Sequence, residues 1–173
     1  GVRFLCEMIG TASHAGTTPM PMRQDAAVSV AELILAVEQR ALQDLTSSHG
    51  PSVGTVGVLQ VPQGSINVVP GRCDFTLDLR APTNAQRDAL ATDVLAKAAE
   101  IAQRRGVDID IEESVRAAAA PSNAAWQARW EAAVQALGLP VHHLTSGAGH
   151  DAMKLHERMP QAMLFVRGGN AGI

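Results

Sequence analysis

An α+β fold of ferredoxin-like type, followed by an incomplete α/β segment, is what this 173-residue sequence predicts, and three observations predict it. Strand-type and helix-type runs follow one another over residues 1–115 in the order strand, helix, strand, strand, helix, strand, the split βαβ arrangement. Residues 116–123, RAAAAPSN, read as a linker. Beyond it, over residues 124–173, the pattern changes to helix, strand, helix, strand, which is α/β logic with too few strands to bury both faces of a parallel sheet.

Each element has its own signal. Residues 2–9 favour extended structure, and a loop at 10–16 carries His14. Pro19 and Pro21 stop the strand and lead toward a helix. Ala27, Val30, Ile34, Val37, Ala41 and Leu45 recur at three- and four-residue spacing, which predicts an amphipathic helix over 24–45. Residues 53–61 read as a strand. Residues 72–80 alternate strictly, with Phe75, Leu77 and Leu79 on one face and Thr76, Asp78 and Arg80 on the other. Thr83 and Gln86 have capping-box spacing and open a second helix, whose stripe of Leu90, Val94, Ala98 and Ile101 ends at Gly106. Val107, Ile109 and Ile111 alternate with acids as a last strand. In the second segment Trp126, Trp130, Ala133 and Leu137 share a helical face that Gly138 ends. Strands are predicted at 141–144 and at 162–166, AMLFV. This segment reads as part of a larger domain; the alternative is that it folds back onto the first unit.

Composition narrows the function. With 46% hydrophobic residues the chain has material for a core, and a formal charge of −3 without a run of Lys or Arg points to neither nucleic acid nor an anionic membrane. A small-molecule ligand fits better. No stretch is apolar enough to span a bilayer, and no charged leader opens the chain, so the expected compartment is cytoplasmic. Cys6 and Cys73 lie inside strand-type runs and read as buried, reduced thiols.

Four features are candidates for chemistry, each with a plainer reading beside it. His14, in HAGTTPM, is either a loop histidine capping nearby backbone or an imidazole that donates to a developing negative charge. Asn67, in INVVPG, is turn material or an amide presented to a carbonyl or carboxylate. Arg80 either pairs with Asp78 on the same strand face, a surface ion pair worth little, or forks a substrate carboxylate. SGAGHDA, residues 146–152, follows a strand and precedes a helix, so its amides can form an anion-binding turn. His150 there has no second metal ligand at helical or turn spacing, His142 and His143 point to opposite faces of a strand, and His49 and His156 read as surface residues.

In this order HAGTTPMPMRQDA (14–26), NVVPG, Asp78 to Arg80, SGAGHDA and the ending MLFVRGGNAGI resemble the N-carbamoyl-L-amino-acid hydrolases, with allantoate amidohydrolase and β-ureidopropionase as close relatives. The resemblance covers nearly the whole chain. It implies a dinuclear-metal domain interrupted by a ferredoxin-like insertion that serves as lid and dimer interface, here residues 1–115. It implies that His14 enters the partner subunit's active site and stabilises the oxyanion. Asn67 and Arg80 match lid residues that hold the substrate's amide and carboxylate, and Gly147, Ala148, Gly149 and His150 match the loop completing the carboxylate pocket. It also implies two divalent ions per full-length subunit, zinc or manganese, whose ligands and general base are absent from this chain.

The expectation is thus a metal-dependent amidohydrolase acting on N-carbamoyl-L-amino acids or ureido acids such as allantoate, a homodimer through the lid, of which this chain is a fragment inactive alone. Dimerisation is expected independently, because lid edge strands must be paired or covered. The alternatives are a non-catalytic dimerisation and ligand-binding module, and an aminoacylase- or dipeptidase-type metallohydrolase.

Overall fold

A computed structural model describes residues 1–166, 168 and 169. It divides into two compact units, residues 1–118 and 119–173. In the first, β1 (Val2–Ile9) leads through the short β2 (Ser13–His14) and a 3-10 turn (Met20–Met22) to α1 (Ala26–Leu42). β3 (Val53–Thr55), β4 (Leu59–Gln60), β5 (Val68–Val69) and β6 (Arg72–Arg80) follow, then α2 (Asn84–Arg105) and β7 (Asp108–Arg116). The sheet order is β3-β6-β1-β7, with β4 also on β6, and every pairing is antiparallel.

The alternation of β6 does what period two requires. Cys73, Phe75, Leu77 and Leu79 are buried, and β1 sets Val2, Phe4, Cys6 and Met8 on the same face. Both helices cover that face. Leu33, Val30 and Val37 of α1 and Leu90, Val94 and Ile101 of α2 complete one core, in which each fully buried side chain contributes roughly 1.5–3 kcal/mol. Cys6 and Cys73 are free and buried, and burial pushes the Cys6 thiol up to about 12, so neither thiol is poised to react.

Helix ends follow the sequence. Asp25 caps α1 by accepting from Val28 N at 3.0 Å, and Gly106 ends α2 in the left-handed region at φ 65°. Thr83 caps α2 by accepting from Gln86 N at 3.1 Å, but Gln86 does not return the bond. Its side-chain amide donates instead to Gly50 O at 2.9 Å and Ser52 Oγ at 3.0 Å, tying the loop before β3 to the helix.

Several expectations need correction. The strand expected over 53–61 is broken in two: Thr55 opposes Asp78 whereas Leu59 opposes Phe75, so this edge carries an extra residue. Thr76 fills the break, its hydroxyl accepting from Val58 N at 3.1 Å. In the second unit α3 (Ala124–Ala136) and the one-turn α4 (Ala152–Leu155) form, but 141–144 and 162–166 are not strands. A strand exists only with a partner, and the described residues of this unit offer none. Trp126, Trp130, Leu144, Leu164 and Phe165 are correspondingly exposed. The last residues of the expected ending, 170–173, lie outside the described ones, as does Arg167. Among the described residues no helix is long and apolar enough to cross a membrane.

Backbone approach at the end of β1 sets a stringent requirement. A Cβ on Gly10 would sit 2.0 Å from Gln24 O, whereas one on Gly57 would meet nothing nearer than Thr76 Oγ1 at 4.0 Å. Gly10→Ala is expected to cost about 2–3 kcal/mol, and Gly57→Ala to change stability by less than about 1 kcal/mol, as read from urea unfolding midpoints.

Candidate functional site

β1 and β6 do not stop pairing at the sheet's end. Beyond Ile9 opposite Arg72, Gly10 N donates to Gly71 O at 2.8 Å, and β2 then pairs with β5, Ser13 with Val69 and His14 with Val68. Ala15 N donates to Asn67 O at 2.9 Å. This ribbon brings His14 and Asn67 together at its tip, where both residues are exposed.

The turn after His14 is closed by its own backbone. Thr17 N and Thr18 N both donate to His14 O, at 3.3 and 3.0 Å. Gly16 N donates to His14 Nδ1 at 3.1 Å. A ring nitrogen that accepts carries no proton, so in the neutral ring the proton is on Nε2, and the imidazole presents an N–H donor outward. A Cβ on Gly16 would lie 3.2 Å from His14 Cε1, close enough that the ring would have to shift by a few tenths of an ångström. Asn67 Oδ1 accepts from Ser65 Oγ at 3.0 Å, which orients its amide.

Arg80 lies at the other end of the ladder, opposite Val53 and beside Gly1. Asp78 holds its Nε and Nη2 in a bidentate pair at 2.8 and 2.6 Å, and Arg3 Nε reaches the same carboxylate at 3.0 Å. The Arg80 guanidinium holds the Asp78 carboxyl below the usual carboxylate range, with Arg3 adding to the effect. From Arg72 to Arg80 the strand advances eight residues, so His14 and Arg80 of one chain are separated by roughly 25 Å or more. The structure brings His14 to Asn67 and keeps both from Arg80.

The remaining candidates lie in the second unit. In the SGAGHDA turn Ser146 Oγ donates to Ala148 O at 3.0 Å, and a Cβ on Gly147 or Gly149 would meet nothing within 4 Å. Packing within the chain therefore does not require these glycines. His150 Nδ1 is buried without a hydrogen-bond partner, and His150 O accepts from Met153 N at 3.0 Å. The helix that follows, α4, is a single turn, so any anion binding here falls to the loop amides rather than to a macrodipole. Among the described residues no group of three or more His, Cys, Asp or Glu is placed to hold a metal ion. The residues present therefore do not fit a metal centre.

Nothing in residue spacing singles out Arg23, yet its side chain touches the His14 turn twice, Nη2 donating to Ala15 O at 2.6 Å and Nε to Thr18 O at 3.0 Å. The one available signal was an arginine inside a proline-rich connector rather than on a helix face.

Residues 2–105 match the sequence pattern of the family described as "Peptidase dimerisation domain". The chain belongs to that family. It is 37% identical over 158 residues to the N-carbamoyl-L-amino acid amidohydrolase of Geobacillus stearothermophilus, covering 91% of this chain and 37% of that protein. It is 33% identical over 182 residues to the allantoate deiminase of Arabidopsis thaliana, covering 91% of this chain and 34% of the relative. Among solved structures, a hydantoinase/carbamoylase family amidase from Burkholderia ambifaria superposes with a TM-score of 0.86 at 33% identity, over 94% of this chain and 39% of that one. The chain therefore spans little more than a third of the length of these relatives.

Because Asp78 is depressed in the fold, its contribution to stability is present above the ordinary aspartate value near pH ~4 and is lost as pH falls below that through the folded value. Asp78→Asn is expected to flatten the acid limb of stability against pH relative to the unsubstituted chain, measured as urea midpoints between about pH 2 and 6. An unchanged limb would show that Asp78 titrates normally.

Proposed function

We propose that the full-length protein is an amidohydrolase that cleaves the C–N bond of N-carbamoyl-L-amino acids or of ureido acids such as allantoate. In this reading it works as a homodimer whose active sites combine residues of both copies. Residues 1–115 are a ferredoxin-like lid and dimerisation domain, 116–123 a linker, and 124–173 part of the catalytic domain. The β3-β6-β1-β7 order supports the lid assignment, and the names of the relatives support the substrate class.

The observation that carries the reading is the separation of His14 and Asn67 from Arg80 along one rigid ladder. No substrate of amino-acid size bridges roughly 25 Å, so residues of these types act on one molecule only if they come from two chains. The surface of the first unit supplies a way to do this. Val28, Leu35 and Leu42 of α1, spaced by seven, are 44%, 62% and 49% exposed, and Glu38 is the single charged residue on the helix's exposed positions. Two copies crossing antiparallel with Leu35 at the two-fold axis set Val28 of one against Leu42 of the other. α1 runs the length of the ladder, so the same axis carries the His14 tip of one copy toward the Arg80 end of the other. β3, on the same side of the sheet, presents an edge with no strand beyond it among the described residues.

In such a site His14 donates its Nε2 proton as a hydrogen bond to the oxygen that becomes negative when the ureido carbonyl turns tetrahedral, a donor worth roughly 3 kcal/mol of barrier. Asn67 presents its amide to the same end of the substrate. Arg80, its plane fixed by Asp78, holds the substrate carboxylate, and residues 147–150 keep the substrate-binding role that the resemblance implies. Two divalent ions, zinc or manganese, belong to this reading through the family, and no group of three or more His, Cys, Asp or Glu among the described residues is placed to hold them.

Mixing tests the shared site. His14→Ala and Arg80→Ala full-length proteins, each nearly inactive on N-carbamoyl-L-alanine, are expected to regain about a quarter of wild-type activity when unfolded and refolded together, since half the dimers are hybrids and each hybrid has one intact site of two. No regain would place both residues in one chain's site. Leu35→Glu is expected to shift the sedimentation of the full-length protein to the monomer at micromolar concentration, because the charge would be buried against its own copy. A dimer of wild-type stability would move the interface elsewhere.

A further inference from the structure

We propose that Arg23 is the positioning residue of His14: its guanidinium holds the 14–18 turn in the one arrangement that keeps the Nδ1 of the ring on Gly16 N and its Nε2–H pointing outward. The proposal rests on the role given to His14 above. The backbone around Arg23 is fixed on both sides. On the helix side, Asp25 caps α1 and Ala26 N donates to Pro70 O at 3.0 Å. On the ribbon side, Thr11 N donates to Gln24 O at 2.9 Å and Thr11 Oγ1 to Gln24 Oε1 at 2.6 Å. Arg23 is thus a strut between the base of a buried helix and an exposed turn.

Solvation alone does not call for it. Ala15 and Thr18 are half-buried beside exposed Gly16 and Thr17, so a water or a neutral donor would also hold their carbonyls, whereas fixing an arginine loses side-chain entropy. What the two charge-assisted bonds add is direction. With Ala15 O and Thr18 O both held by one planar group, and Ala15 N on Asn67 O, the peptide that carries Gly16 N cannot turn away from the ring. Without that peptide the imidazole rotates about its χ angles and exchanges tautomers, and the donor is absent for much of the time.

Two readouts on the full-length protein test this. In steady-state kinetics with N-carbamoyl-L-alanine, Arg23→Gln is expected to lower kcat about tenfold with KM within about twofold, while Arg23→Lys, which supplies charge without the fork, recovers part of the loss. In a His14→Ala background Arg23→Gln is expected to cost nothing further, since it acts only through the ring. With 15N-labelled histidine, the two ring nitrogens of His14 are expected to show one protonated and one bare nitrogen at high pH in the wild type, and averaged shifts in Arg23→Gln. An equal loss in both backgrounds, or unchanged ring shifts, overturns the proposal even if the variant is partly unfolded, because thermal midpoints and Arg23→Lys report folding separately. Wild-type kcat/KM in His14→Ala overturns the catalytic role of His14 instead, and the ring shifts alone then decide on Arg23.

Discussion

The register between β1 and β6 is the constraint on which everything else hangs. Eight consecutive pairs, from Val2 opposite Leu79 to Ile9 opposite Arg72, place two rows of apolar side chains on one face, and the pairing continues through Gly10 and Gly71 into the β2–β5 ribbon. A one-residue slip would turn Phe75, Leu77 and Leu79 out to solvent, so the buried face fixes the register. Fixing the register also fixes where the candidate residues lie: His14 and Arg80 sit beyond opposite ends of the same ladder, and no side-chain motion closes that distance. A core requirement thereby keeps the two residues apart, which is the ground of the proposed two-chain site.

The helix layer offers the proposed second copy a surface without weakening the core. α1 buries Val30, Leu33 and Val37 inward and leaves Val28, Leu35 and Leu42 outward, so two faces of one helix are apolar where a solvated helix would carry charge on one. In the proposed dimer these six half-exposed side chains would contribute roughly 5–9 kcal/mol, within the range of the translational and rotational cost of association. The proposed interface therefore takes in the edge of β3 as well, and β3 is short and followed by a bulge, which limits pairing with unrelated strands.

Long periodic elements were legible in the sequence because their signal repeats: nine residues of alternation gave β6 its buried face, and the stripes of α1 and α2 gave theirs. What was not legible depends on partners far along the chain. β2 and β5 are two residues each, too short for any period, and exist only because the ladder runs on past Ile9. The capping box at Thr83 is half made because Gln86 finds Gly50 and Ser52 instead. Residues 162–166 have strand composition and no strand among the described residues of their unit to pair with, so the same apolar pattern that predicted a buried strand leaves Phe165 half exposed. His14, Asn67 and Arg80 stood out in the sequence by residue type and neighbours, but their division between two ends did not, since only register turns sequence distance into length.

The plainer reading of His14 and the functional one are not alternatives. A histidine that caps nearby backbone is what the structure contains, with Gly16 N on Nδ1 at 3.1 Å. The two ring nitrogens are chemically distinct, however, and occupying one as an acceptor makes the other a donor in the neutral ring. An exposed imidazole held this way loses little when an oxyanion arrives, because its tautomer and direction are already set before charge develops, which is where preorganised donors gain over water. The small residues around it follow from the same demand: Gly16 leaves room for the ring, and Ala15 lets the turn close on Asn67. A tip proposed to enter another subunit must be both protruding and stiff, and stiffness at a surface has to come from bonds rather than from burial.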